Sequence, residues 1–120
     1  GGIYSGIIKD CVVVDNKAYR GAGSIKSTIY NSIISNNTAL SYAGGVRDGV
    51  VVDSTISCNS AHYSGGGTYE GVISNSTISE NCVDGDGAAC YYSELCSCII
   101  KNNIAGDDGG AFYYGTASNC

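Results

Sequence analysis

Asp48 and Glu70 are the first residues whose spacing suggests chemistry. They are separated by an interval that recurs throughout the chain, and Arg47 precedes the first of them. On neighbouring turns of a repeating structure their backbones would sit about 5 Å apart, a separation resembling that of a retaining glycosidase pair. Arg47 beside them suits an acidic sugar. Lys26, however, stands the same interval before Asp48, so these residues read equally as a charge ladder on a sheet face, and this surface role is preferred. Asp84, Asp86, Asp107 and Asp108 occupy Asp-Gly-Asp-Gly and Gly-Asp-Asp-Gly turns. Stacked on neighbouring turns they would repel, and a bound Ca²⁺ would relieve the repulsion. A solvated acidic turn is the alternative, since Asp and Gly are ordinary turn residues and the full nonapeptide calcium repeat is absent. His62 is expected to have no acidic partner at an equivalent position, so no Ser–His–Asp triad is read. With a single imidazole, and with Cys96-Ser-Cys98 spaced too closely for the usual zinc ligands, zinc is not expected either.

The elements that must position these residues follow from a repeat. Small-residue pairs recur at Gly1-Gly2, Ala22-Gly23, Gly44-Gly45, Gly66-Gly67, Ala88-Ala89 and Gly110-Ala111, with a constant step after a first step that is one residue shorter. Ile8, Ile29, Val51, Ile73, Leu95 and Ala117 then form one equivalent set. Val13, Ile34, Ile56, Ile78 and Ile100 form a second, and Ala18, Ala39, Ala61, Val83 and Ala105 a third. Within a repeat the period is two, as in Ser76-Thr77-Ile78-Ser79, which is the alternation of a strand. Gly or Asn interrupts each repeat too often for a helix. Three short strands and three turns in each repeat of about 22 residues predict an all-β fold. The expected architecture is a right-handed parallel β-helix (β-solenoid) of roughly 5.5 coils over residues 1–120.

Asn16, Asn37, Asn59, Asn81 and Asn103 occupy one equivalent position. Asn tolerates the left-handed backbone of a tight corner, and stacked amides can donate upward and accept from below, so an asparagine ladder is expected there. The Gly pairs are assigned to a second corner, where no Cβ fits. Tyr69, Tyr91 and Tyr113 repeat on three consecutive coils, with Tyr92 and Tyr114 beside them. Pointing outward, they would form an aromatic strip able to bind sugar rings or protein surfaces. Plain cross-strand stacking is the preferred account.

Composition limits the function classes. The net charge is −5 with only six Lys and Arg, which argues against nucleic acid. No apolar run approaches the roughly 20 residues of a membrane helix. Seven Cys in an acidic β-chain suggest an oxidising compartment. Cys98 and Cys120 share one position on consecutive coils and are expected to form a vertical disulfide. Cys58 and Cys82, two positions out of register on adjacent coils, are a second pair. Cys90 and Cys96 share a coil and are the least favourable pair, which leaves Cys11 unpaired or intermolecular. Asn36-Asn37-Thr38 and Asn75-Ser76-Thr77 match the glycosylation acceptor pattern. Neither end carries a cap, so the chain is expected either to continue as a longer solenoid or to stack head-to-tail.

Segments such as Asn75-Ser-Thr-Ile-Ser-Glu-Asn81 and Gly65-Gly-Gly-Thr-Tyr69 resemble right-handed parallel β-helix repeat proteins, and especially the repeats of polymorphic outer-membrane proteins and bacterial surface adhesins. The resemblance covers the whole chain. It implies a non-enzymatic extracellular fibre segment or adhesin shaft with no cofactor beyond the Ca²⁺ considered above, whose partners are further coils, a glycan or a host surface. The same coil also serves pectate-lyase-like enzymes, so a carbohydrate-active enzyme using Asp48, Glu70 and Arg47, or a glycan-binding module using the Tyr strip, is the alternative. An ice-binding solenoid is disfavoured because a regular Thr-x-Thr face is missing.

Overall fold

The computed structural model describes residues 1–120 as strands and turns without a helix. The first coil comprises strands Ile3–Lys9, Val12–Val14 and Lys17–Ala18. The second comprises Ser24–Tyr30, Ile33–Ser35 and Thr38–Ala39. In the third the long strand is split into Val46–Arg47 and Val50–Val52, followed by Thr55–Ser57 and Ser60–Ala61. The fourth repeats this with Thr68–Tyr69, Val72–Ser74, Thr77–Ser79 and Cys82–Val83. The fifth has Cys90–Cys96, Ile99–Lys101 and Ile104–Ala105, and Phe112–Ser118 opens a sixth. Every strand pairs in parallel with its equivalent one coil away, giving a long sheet, a middle sheet and a short sheet.

The three apolar sets stack in register as expected. Ile8, Ile29, Val51, Ile73 and Leu95 line the long sheet, and Val13, Ile34, Ile56, Ile78 and Ile100 the middle one. Together they make one continuous core in which Ile29, Ile34 and Ile56 are wholly buried. Ala39, Ala61 and Val83 form a smaller cluster behind the short sheet. The close stacking there also explains the Gly pairs. A Cβ added at Gly45 would lie 2.5 Å from the Gly67 carbonyl oxygen, and one at Gly67 would lie 2.5 Å from that of Ala89.

Two expectations about the corners are corrected. Each coil bends at four left-handed positions, not three. One column runs Ser5, Lys26, Asp48, Glu70, Tyr92, Tyr114 with φ of 51° to 59° and bends the long sheet in its middle. The others run through Asp10, Asn31, Asp53 and Asn75, through Asp15, Asn36, Cys58, Glu80 and Asn102, and through Gly21, Ala43, Gly65 and Gly87. The ladder asparagines are not themselves left-handed: the residue before each one takes that conformation. The corner residue faces solvent while its turn swings the following Asn inward.

That inward Asn closes a complete hydrogen-bond circuit. Asn37 Nδ2 donates to Asn59 Oδ1 at 3.0 Å and to the Val13 carbonyl at 3.0 Å, and the Asn37 backbone N–H donates to the same Asn59 Oδ1 at 3.1 Å. Asn59 repeats the pattern toward Asn81 and the Ile34 carbonyl, and Asn81 toward Asn103 and the Ile56 carbonyl. A buried corner thus leaves no amide unpaired, which would otherwise be costly. A second ladder goes beyond the expectations above. Ser54 Oγ accepts the Ser32 N–H and donates to the Val52 carbonyl, and Ser76 Oγ does the same for Ser54 N–H and the Ser74 carbonyl. Cys11, Cys98 and Cys120 occupy its remaining rungs. Its signal is present in Ser32, Ser54 and Ser76, each one repeat from the next.

Candidate functional site

The chemistry-bearing side chains gather on the outer faces of the long and short sheets. Tyr69, Tyr91 and Tyr113 project from one register position of the long sheet. Their rings stack nearly parallel, with centroids 5.2 Å apart for Tyr69–Tyr91 and 5.3 Å for Tyr91–Tyr113. Tyr92 and Tyr114 form a second stacked pair at 5.1 Å, joined edge-on to the first column. Tyr42 extends the column at 5.3 Å from Tyr69, and Tyr63 and His62 continue from it. The Tyr42 extension is invisible in the repeat because Tyr42 is out of register with Tyr69. The inner rings spend their faces on one another, so mainly edges and hydroxyls meet solvent, whereas Tyr92 and Tyr114 stay more than half exposed. Burial, followed by the neighbouring acidic and phenolic groups, pushes the Tyr69 and Tyr91 hydroxyls up from their ordinary range.

Arg47, Asp48 and Glu70 do come together. Arg47 Nε lies 3.7 Å from Asp48 Oδ2, too far for a hydrogen bond, and is buried without another partner. Its guanidinium lies 6.0 Å from the Tyr69 ring centre. The Glu70 carboxyl is pushed up, first by burial and then by a hydrogen bond and charge repulsion from Asp48, with Arg47 opposing. The repulsion between the two carboxyls favours the neutral form of Glu70.

The acidic corner resolves into separate contacts. Asp86 and Asp108 are equivalent, and Asp86 Oδ1 accepts the Asp108 N–H at 3.0 Å. Asp107 stacks on Gly85. Asp84 stacks on His62, and Nδ1 of His62 lies 2.7 Å from Asp84 Oδ2. The expectation that His62 has no acidic partner is therefore overturned, because residue 84 is one full coil beyond residue 62. No three His, Cys, Asp or Glu side chains converge closely enough to hold a metal ion.

All seven cysteines are free thiols. Cys98 and Cys120 are neighbours on the serine ladder; burial pushes the Cys98 thiol up, and the adjacent Cys120 adds to the rise. Cys58 turns toward Glu80, with Sγ 3.5 Å from Oε2, not toward Cys82. Cys90 and Cys96 end one seven-residue strand, the first buried and the second exposed. Six residue steps along a strand far exceed the roughly 4.4–6.8 Å between the Cα atoms of a disulfide, so that pairing is ruled out. Cys11 lies at the other end of the stack, exposed, with its Sγ 3.0 Å from the Lys9 carbonyl. Asn36 and Asn75 both sit exposed at left-handed corners.

The coils define the class of protein, a parallel β-solenoid of about five turns. Comparison with protein-family models, curated proteins and solved structures finds no match to the chain.

Proposed function

We propose that this chain is a non-enzymatic structural solenoid of the extracellular space or cell surface, a fibre segment or adhesin shaft. The observation that supports the reading best is the asparagine ladder, unbroken from Asn16 to Asn103 with amide-to-amide distances of 2.9–3.1 Å. Such a ladder fixes coil register and closes each corner against water, so bending the rod requires breaking buried hydrogen bonds. Each coil edge is complementary to another coil, whether it belongs to a longer run of the same chain or to a second copy. In an oxidising compartment a Cys98–Cys120 disulfide would tie the fifth coil to the sixth and resist fraying. Glycan binding is the second reading, favoured by the exposed Tyr92–Tyr114 pair.

Electron microscopy of the unreduced protein tests the structural role. Uniform rods or filaments with an axial rise that is a multiple of about 4.8 Å are expected. Short discrete particles that release oligosaccharide from an acidic polysaccharide, with loss of release in Asp48→Asn, would overturn it in favour of an enzyme.

A further inference from the structure

The outer face of the short sheet carries a second group of reactive side chains. A groove of about 380 Å³ is lined there by Thr38, Leu40, Ser60, His62, Cys82 and Asp84. Ser60 lies directly beneath Cys82 in the strand register, and Asp84 follows Cys82 by two residues on the same outer face. His62 stands under Asp84, which places it diagonally one coil and two residues from Cys82, roughly 8 Å between backbones. The Asp84 carboxylate can only accept, so Nδ1 of His62 must be the donor in their 2.7 Å contact. That tautomer leaves the lone pair on Nε2, where a proton can be received.

We propose that Cys82, His62 and Asp84 form a thiol–disulfide exchange site whose substrate is a small disulfide. Cys82 is the nucleophile, His62 carries its proton, and Asp84 is the positioning residue that holds the imidazole. The Cys82 proton passes to Nε2 through one bridging water. The thiolate attacks one sulfur of the substrate, a Cys82–sulfur bond forms, and the substrate S–S bond breaks. The departing thiolate takes the proton from His62 and leaves as a thiol. No outside oxidant is consumed, because the substrate disulfide is itself reduced as Cys82 is oxidised.

Two observations favour exchange at this thiol over other chemistry and other thiols. The backbone N–H groups of Thr38, Leu40, Ser60, Cys82 and Asp84 all donate to carbonyls of the preceding coil. These five are spent on the ladder and are not free to serve an oxyanion hole, and disulfide exchange develops no oxyanion. The other exposed thiols each rest on an oxygen: Cys11 on the Lys9 carbonyl, Cys58 on Glu80, Cys96 on Ser97 Oγ and Cys120 on the Ser118 carbonyl. Burial and Glu80 also push the Cys58 thiol up. Among the exposed thiols, only Cys82 shares a groove with the imidazole. The ionisable groups facing His62 are Asp84, Cys82 and, through ring contact at 4.6 Å, Tyr63.

The test treats the reduced full chain with oxidised glutathione and follows the mixed disulfide at each exposed cysteine by peptide mass spectrometry between pH 5.5 and 9. Cys82 is expected to react about ten-fold or more faster than Cys96, with a pH profile that differs from that of Cys96. His62→Gln should remove that difference, and Asp84→Asn should slow Cys82 while leaving Cys96 unchanged. His62 and Asp84 side chains are 55% and 72% exposed, so both variants should fold, and an unchanged thermal midpoint verifies this. Reaction of Cys82 within two-fold of Cys96, or a pH profile unaltered by His62→Gln, would overturn the proposal.

Discussion

Truncating one rung in the middle of the asparagine ladder should cost far more than truncating the first rung. Asn59 is 1% exposed, and its Oδ1 accepts both the backbone N–H and the Nδ2–H of Asn37. In Asn59→Ala those two donors lose their acceptor inside the corner, and the Ile34 carbonyl loses a donor. Each orphaned buried donor costs about 1–3 kcal/mol, so the pair costs about 4 kcal/mol. Asn16 begins the ladder. It donates to Asn37 Oδ1 and to the Val14 carbonyl, and no ladder amide donates to it. Asn16→Ala therefore orphans no donor and costs about 1 kcal/mol.

Urea unfolding of the two variants reads the difference directly. A gap of about 3 kcal/mol is expected, large against a total stability of about 5–15 kcal/mol. The near-isosteric Asn59→Asp separates hydrogen bonding from shape. Its carboxylate keeps the acceptor but faces Asn81 Oδ1 and the Ile34 carbonyl with no proton to offer. Its folded pKa is therefore raised, so its stability is fullest below the unfolded value near 3.9 and is lost as pH rises through the folded value. Relative to the parent protein, Asn59→Asp should be less impaired at pH 4 than at pH 7. Equal costs for Asn59→Ala and Asn16→Ala would refute the account of the ladder as a closed circuit.

Ile56→Ala, at a wholly buried position between Ile34 and Ile78, should lose about 2–5 kcal/mol in the same assay. Tyr91→Leu removes two ring stacks and should cost about 1–2 kcal/mol, while Tyr91→Phe keeps both stacks and should cost less than half of that. Burial pushes the Cys90 thiol up to about 12. A raised folded value means stability is full below the unfolded value near 9 and falls as pH climbs toward 12; thermal melts at pH 8 and 10 should show that loss, and Cys90→Ala should reduce it. Glu70 is raised by burial and by Asp48, so its neutral form favours folding at low pH. Glu70→Gln should raise the urea midpoint at pH 7 but not at pH 3.5.

The coil was legible because a solenoid writes each structural position several times. Ile29, Val51 and Ile73 could be aligned without knowing where any strand began, and the pairing partners followed from the constant step. The bend in the long sheet was not legible, since its column runs through Ser5, Lys26, Asp48, Glu70, Tyr92 and Tyr114, and of these types only Asp commonly takes a left-handed backbone. Stacking between coils fixes that conformation against the local preference of each residue. The ladder asparagines misled for the opposite reason. Asn is the residue expected to be left-handed, yet here the amide is needed inside and the preceding residue makes the turn.

The site residues were harder to read because chemistry in a repeat lies where a column changes type, not where it repeats. Keeping one residue type down a column builds a ladder, as in the Asn and Ser columns. Changing it juxtaposes different groups at one coil spacing. The column Leu40, His62, Asp84, Gly106 sets an imidazole on a carboxylate, and Lys26, Asp48, Glu70, Tyr92 sets a carboxyl on a carboxyl. Scanning each column for such changes, rather than searching the chain for short motifs, would have exposed the His62–Asp84 pair from its spacing alone. The step to Cys82 needs the sheet as well, because a diagonal neighbour lies in another column and is reached only when both residues share the outer face.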